Sequence, residues 1–392
     1  MAVNLTNADS ALKSVYLDAI TTQLNDHVNP FLAAIEKSTN DVYGKEVRKL
    51  SIYGMNGGIG AVTEEGALPP ARGNKYGQLV APLKNLYGVI EISDKAIRAS
   101  ENNAGSFVSL LNSEMQSLIK ASSFNFGRML FGNGTGFLGS IRGVADGMLD
   151  VENLNNLSEG MIVDICDGQG VPVQGATGRK ILSIDREMSL VAISGEKIEE
   201  DNLPAYAYLM VQGSYNNELT GLGAIFDNRI SNIYGASKAL NPILVPYSKN
   251  LNGAITEQDI QIALDEIEVK SGNKVNFIIC SMGVRRALQA LFSQNKRVID
   301  TMELEGGFKA MSFNGIPIVA DRFCPKGTMY LLNTDDFALH QLCDWQWLTG
   351  DDGRVLRQVP GKPVYTATLV KYADLICGCP AGQGVISGIT EQ

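Results

Sequence analysis

The sequence predicts an α+β protein with a small all-β domain inserted into its middle, and three observations lead there. The acidic charge is concentrated: residues 146–204 hold 4 basic against 12 acidic side chains, so −8 of a net −9 lies in that stretch. The same stretch reads as short β-type runs at 161–165, 180–185, 189–194 and 206–211, separated by Gly-rich or charged turns. Outside it, long helical stripes alternate with strand-rich segments, and those flanking parts are close to neutral, 13 basic to 12 acidic before and 16 to 18 after. A length of 392 residues with 45% apolar side chains exceeds what one core usually serves, so more than one folded unit is expected.

The elements follow in order. Leu12, Val15, Tyr16, Ala19 and Leu24 have helical spacing, and Asn29-Pro30 is a cap residue followed by proline at the first helical position, so the first forty residues read as an arm of short helices. From Asp41 the character turns to strand: 47–53, the Gly-rich 54–60, then 61–65, and later one long run from Leu79 to Ile92. Between them lies Gly66-Ala-Leu-Pro-Pro-Ala-Arg-Gly-Asn-Lys-Tyr-Gly77, whose paired prolines cannot sit in a central strand. Two strands joined by such a tip form a projecting hairpin, marginally stable alone, which implies support from a neighbouring subunit.

The longest helical pattern is Ser106 to Phe131, with Phe107, Leu111, Met115, Leu118, Phe126 and Met129 near one stripe and a stop at Gly132. In the acidic insertion, taken as 148–216, residues 181–193 read as a hairpin turning near Arg186-Glu187. A barrel or a sandwich would satisfy these strands. A helix then starts at Thr256 with Asp259 in capping-box position, followed by a strand at 275–280 and a helix from Ser281. Strand patterns at 311–313, 316–320, 329–332, 337–342 and 364–377 complete the chain.

Several function classes lose their material at once. Two histidines, His27 and His340, leave little for enzymes that need a His pair, and a pI near 5.0 disfavours binding driven by phosphate neutralisation. No window approaches the roughly 18 apolar residues of a membrane span, so a soluble protein made in the cytosol, without membrane contact, is expected. Gly134-Thr-Gly-Phe-Leu-Gly139 matches G-x-G-x-x-G but follows a helix instead of opening one, which makes a helix stop the plainer reading. His340, Cys343, Cys377 and Cys379 could gather on zinc, yet buried thiols in a sheet explain them as well; no metal or cofactor is expected. Glu64 and Glu65 are adjacent strand-type residues facing opposite ways, better suited to intersubunit salt bridges with Arg72 or Lys75 than to catalysis. Trp345 and Trp347 fit an interface anchor or ordinary packing equally well. Arg285-Arg286 and Lys296-Arg297 read as solvated faces or intersubunit partners.

The ordered set resembles the tailed-phage major capsid proteins with the HK97-type fold. The tip Glu64-Glu65-Gly-Ala-Leu-Pro69 followed by Leu83-Lys-Asn-Leu-Tyr-Gly-Val-Ile-Glu-Ile-Ser93 is similar to the family's E-loop and its return strand. Ser106 to Phe131 with Gly132-Asn-Gly-Thr-Gly136 resembles the spine helix, and Phe277-Ile-Ile-Cys-Ser281, Asn314-Gly-Ile-Pro-Ile-Val-Ala-Asp-Arg322 and Gly327-Thr-Met-Tyr-Leu-Leu332 resemble the axial domain. The resemblance divides the chain into an N-terminal arm (1–40), the E-loop hairpin with flanking strands (41–95), a peripheral domain with the spine helix (96–147), the inserted acidic β-domain (148–216), an axial domain (217–335), and the peripheral sheet with the C-terminal segment (336–392).

It implies a non-enzymatic capsid subunit that joins copies of itself into hexamers and pentamers of an icosahedral shell around double-stranded DNA, assembled in the bacterial host cytoplasm and resident in the virion. Glu64, Glu65, Pro69, Pro70, Arg72 and Lys75 are then candidate assembly contacts. Some relatives join a hairpin lysine to the next subunit by an isopeptide bond, for which Lys75 or Lys84 would be the donors. The hairpin begins within about fifty residues of Met1, which implies a separate scaffolding protein or none; a portal, and a decoration protein on the insertion, are the other implied partners, with non-specific contact to packaged DNA. An encapsulin-type compartment is the alternative, and a soluble enzyme with a Gly-rich site a remote one.

Overall fold

The computed structural model describes residues 17, 23–24, 29–53, 58–70, 72–95, 104–294, 301–303 and 309–391. The expected stripe through Leu12, Val15, Tyr16 and Ala19, and the pair Lys296-Arg297, lie outside the described residues, as do the side chains of Lys75, Phe107 and Leu111.

Asn29 accepts the Leu32 amide at 2.7 Å and Pro30 fills the first helical position, which starts α1 (Pro30–Ala34). β1 (Glu36–Ser38) follows, then a ribbon of β2 (Val42–Tyr43), β3 (Glu46–Tyr53) and β4 (Lys75–Pro82), with β3 and β4 paired without a slip from Glu46↔Pro82 to Tyr53↔Lys75. The long run expected from Leu79 to Ile92 is two strands in two sheets: it breaks after Pro82, which has no N–H to carry the ladder on, and resumes as β5 (Lys84–Ser93). Residues 61–65 are not a strand either, because the Gly66 amide closes a turn on the Thr63 carbonyl at 2.9 Å.

The 28-residue α2 (Ala104–Phe131) is the expected long helix, and at 1.5 Å per residue it runs about 42 Å. Six strands then close a barrel: β6 (Phe137–Ala145), β7 (Met148–Val151), β8 (Ile162–Asp167), β9 (Arg179–Asp185), β10 (Leu190–Ile193) and β11 (Ala207–Val211), in the order β10-β7-β6-β11-β8-β9. The inserted unit therefore begins at Phe137, not 148. Its first strand is Gly-rich and reads in sequence like a helix exit, but Gly139 is needed there, since a Cβ would meet Val151 at 2.9 Å and the Asn153 carbonyl at 3.0 Å.

After the barrel come α3 (Leu222–Phe226), β12 (Asn232–Ile233), β13 (Ala236–Ser237), β14 (Tyr247–Gly253), α4 (Glu257–Ser271), β15 (Phe277–Cys280) and α5 (Met282–Gln294). The Thr256/Asp259 capping box forms on both sides, and Gly272 ends α4 in the left-handed conformation at φ 72°. β16 (Thr301–Glu303), β17 (Lys309–Phe313), β18 (Ile316–Ala320), β19 (Met329–Leu332), β20 (Phe337–Trp347), β21 (Arg357–Gln358), β22 (Val364–Cys377) and β23 (Gly384–Ile389) complete the order.

Two sheets organise the body. One has the order β1-β20-β22-β21, with β5 also paired along β22 from Lys84↔Ala373 to Ser93↔Val364. The other is seven-stranded, β14-β23-β19-β15-β18-β17-β16. The C-terminal β23 thus belongs with the strands of 247–332 and not with the peripheral sheet, where the resemblance places 336–392. β15 shows why that second sheet is secure: alternate residues Phe277 and Ile279 join the core shared with α2 and the first sheet, while Ile278 and Cys280 join the core under α4 and α5. The barrel has a third core of its own, with Val151, Val163, Ile165, Val191 and Leu209 fully buried.

Candidate assembly surfaces

The ribbon is anchored at its base and bare at its end. Val47, Leu79 and Ala81 are buried against the body, and the Ser51 hydroxyl donates to the Gly378 carbonyl at 3.0 Å. Farther out, Ile59 is 82% and Leu68 83% exposed, and Val62 and Tyr76 are exposed too, as is Leu50 beside Ser51. The tip has a shape of its own, because Pro69 packs on Gly60, where a Cβ would come within 3.2 Å of the ring.

Of the residues expected to make assembly contacts, Glu64, Glu65, Pro70 and Arg72 are exposed, Pro69 is half-buried, and Lys75 opens β4. Among the described residues no ion pair ties Glu64, Glu65 or Arg72 into their own chain. Lys84, the other lysine considered as a cross-link donor, instead donates to the Asn216 carbonyl at 2.7 Å.

The base of the barrel is built very differently. Arg128, near the end of α2, and Glu218, just past the barrel, are each 3% exposed and form a two-pronged pair, Nη1 to Oε2 at 2.8 Å and Nη2 to Oε1 at 2.6 Å. Two residues on, the amide and hydroxyl of Thr220 donate to Asp374 of β22 at 2.7 and 2.9 Å. Complete burial pushes the Asp374 carboxyl up to about 6, against the opposing pull of the Thr220 hydrogen bonds. Gly221 lies directly on the end of α2; a Cβ there would sit 2.4 Å from the Met129 carbonyl. Gly134 and Gly136, at φ 82° and 86°, carry the chain from the helix into β6, so the G-x-G-x-x-G stretch serves as the barrel's entry stalk.

A second buried charge lies in the peripheral sheet. Lys371 of β22 is fully buried, reaches Asp344 at 2.7 Å, and lies over the rings of Phe126 and Trp345 at 5.8 and 5.5 Å. Burial lowers its pKa, with Asp344 opposing. β20 slips register twice in this region, between Gln341 and Cys343 and between Cys343 and Gln346. Trp345 and Trp347 are buried in the core, with Trp345 edge-on to Phe126 at 5.8 Å, so packing and not surface anchoring is what they do in the subunit.

The four residues weighed as zinc ligands do not converge. Burial is the first cause that raises the Cys377 and Cys379 thiols, and among the described residues no three His, Cys, Asp or Glu side chains gather into a metal-sized group. Sequence reasoning missed Arg128, Glu218, Thr220, Asp374 and Lys371. The available signal was a charged residue within an apolar pattern: Asp374 and Lys371 both interrupt the run Leu369 to Cys377.

Residues 177–353 match the family model described as SU10 major capsid protein. No curated protein matches the sequence. Among solved structures, the capsid asymmetric unit of Cyanophage A-1(L) is similar over 93% of this chain and 94% of that one, at 15% identity and a TM-score of 0.58. The holo-SrpI encapsulin complex from Synechococcus elongatus PCC 7942 (92% and 88% covered, 10% identity, TM-score 0.48) and the satellite phage P4 procapsid including the size determination (Sid) protein (95% and 99% covered, 12% identity, TM-score 0.43) align more loosely and carry no argument.

An α+β body with a projecting ribbon, a long spine helix and a seven-stranded second sheet is the HK97-type capsid fold. The family match covers residues 177–353, less than half of the chain, and the fold agrees with it, so the chain is similar to major capsid proteins.

Proposed function

We propose that copies of this chain join as hexamers and pentamers of an icosahedral shell enclosing double-stranded DNA, assembling in the bacterial host cytoplasm, with assembly itself as the whole of its activity. The observation that carries this reading is the ribbon: an extended arm whose large apolar residues, Ile59 and Leu68 above all, find no cover among the described residues of their own subunit. Covered by an adjacent copy, each such contact is modest. Repeated around a closed ring it becomes a shell.

Glu64, Glu65, Pro69, Pro70, Arg72 and Lys75 supply the contact, with the N-terminal arm, 1–40, tying neighbours together. The near-neutral body faces the DNA, which then touches the wall without strong trapping or repulsion. The acidic barrel faces outward, where it adds solubility and offers a surface to a decoration protein. A separate scaffolding protein and a portal complete the set of partners.

Electron microscopy of the purified chain under assembly conditions tests this. Capsomers and closed shells are expected; small oligomers under every condition would refute it. Nuclease-protected double-stranded DNA inside shells from infected cells is the second expected result.

A further inference from the structure

A cavity of about 550 Å³ opens at the junction of barrel and body, between β6 and β11 on one side and the loops around Arg229 and Lys326 on the other. Its size falls within the roughly 300–1,000 Å³ of small-molecule sites, and a seam between two folded units is where such sites gather. One wall is aromatic. Phe137 and Tyr208 stack on each other with ring centroids 4.5 Å apart and planes 15° from parallel, and Tyr215 leans on Phe137 at 5.9 Å, so the platform is held in place.

The rest of the lining is polar and partly uncommitted. Asn133 commits its side-chain oxygen to the amide and hydroxyl of Thr135, and Asn153 commits its own to the Asn155 amide, which leaves two side-chain NH2 groups with no partner among the described residues. Asp227 holds Arg229 through Nε and Nη2 at 3.0 and 2.9 Å, fixing the guanidinium while Nη1 stays unengaged among the described residues. The Lys326 ammonium likewise has no acidic partner among them, whereas Glu152 takes the Ser140 hydroxyl on Oε2 and keeps Oε1 as an acceptor.

A flat apolar face beside hydrogen-bond donors of fixed direction matches a sugar ring, whose C–H face lies on an aromatic ring while its hydroxyls point sideways to amides and charges. Two cations against one carboxylate add a preference for a sugar that is itself an acid. A nucleotide fits less well. The two rings already stack on each other, so no base slides between them, and residues 146–204 carry −8, which repels a chain of phosphates but tolerates one carboxylate.

We infer that this cavity binds a short saccharide bearing a carboxylate, with Tyr208 under the sugar ring, Lys326 and Arg229 on the carboxylate, and Asn133 and Asn153 on the hydroxyls. The site goes beyond the assembly reading and gives the base of the barrel a ligand of its own. Nothing in it requires a closed shell.

Binding of the full chain to immobilised oligosaccharides tests it, with sugars ending in sialic or glucuronic acid, neutral sugars of equal length and an oligothymidylate side by side. Retention on the acidic sugars over the neutral ones is expected. Lys326→Ala and Arg229→Gln alter exposed side chains, should leave the melting temperature unchanged, and should each weaken that retention about tenfold. Tyr208→Ala should abolish it while Tyr208→Phe keeps it, which separates loss of the platform from loss of a hydroxyl. Retention on neutral sugars alone, on the oligothymidylate alone or on nothing would overturn the site, as would acidic-sugar binding that Lys326→Ala and Tyr208→Ala leave unchanged. Each of these results is read without shell formation, so failure of the site leaves the capsid reading intact.

Discussion

The barrel and the ribbon are both excursions from the same body, and they solve the problem of an exposed sheet in opposite ways. The barrel closes on itself through six strands, so no edge is left open, and it encloses its own core. The ribbon keeps open edges and carries bare apolar residues at its end. One excursion is complete within the subunit; the other is half of an interface. Their attachments agree with this, since the barrel is locked by a buried ion pair and a buried carboxylate, whereas the ribbon leaves the body on Val47, Leu79 and Ala81, with the Ser51 hydroxyl on the Gly378 carbonyl and the Val80 amide on the Tyr234 carbonyl.

The sharpest way to break that contrast is at the joint. Glu218→Ala leaves the Arg128 guanidinium buried without its carboxylate, and a loss of about 3–5 kcal/mol in the denaturant stability of the body is expected. Next comes the barrel core, where Leu209→Ala removes a fully buried side chain and should cost about 2–5 kcal/mol. Limited proteolysis should then cut first within 137–211 while the spine helix survives; simultaneous loss of both would show that the barrel has no stability of its own.

The joint also titrates. Asp374 holds its proton up to a pH of about 6 in the folded chain, against an ordinary carboxylate value of 3.8. Between those values the folded state binds more protons than the unfolded one, so stability falls as pH rises from about 4 to 6 and stays lower above. Asp321, also raised to about 6 by burial, acts in the same direction. Asp374→Asn should flatten the Tm difference between pH 4 and pH 7 in part, leaving the share due to Asp321; an unchanged profile would remove Asp374 from this role. The smallest effect on the isolated subunit belongs to the tip. Leu68→Ala should shift stability by no more than about 0.5 kcal/mol and still reduce the yield of shells, a separation that a merely structural residue does not give.

Much of this contrast was readable in the residues. Charge located the insertion, the apolar stripe located the spine helix, and the double proline with its glycines located the tip. What escaped follows from where the signal is physically weak. β6 is Gly-rich because it packs closely on its neighbours, so it lacks the β-branched pattern of a strand. The 79–92 run hides its break because the residues on both sides of Pro82 are apolar. β23 is too short and Gly-interrupted to stand out, and its place beside β14 and β19 depends on pairing across more than fifty residues. The joint was invisible because Arg128 and Glu218 lie 90 residues apart and become partners only once the barrel folds between them.

A cryo-EM map of the assembled particle measures the division of labour between the two excursions directly. It should show each ribbon tip covered by the adjacent subunit, and each barrel standing on the outer surface with its own fold unchanged. A shell in which the tips extend free into solvent while the barrels make the contacts between subunits would contradict it.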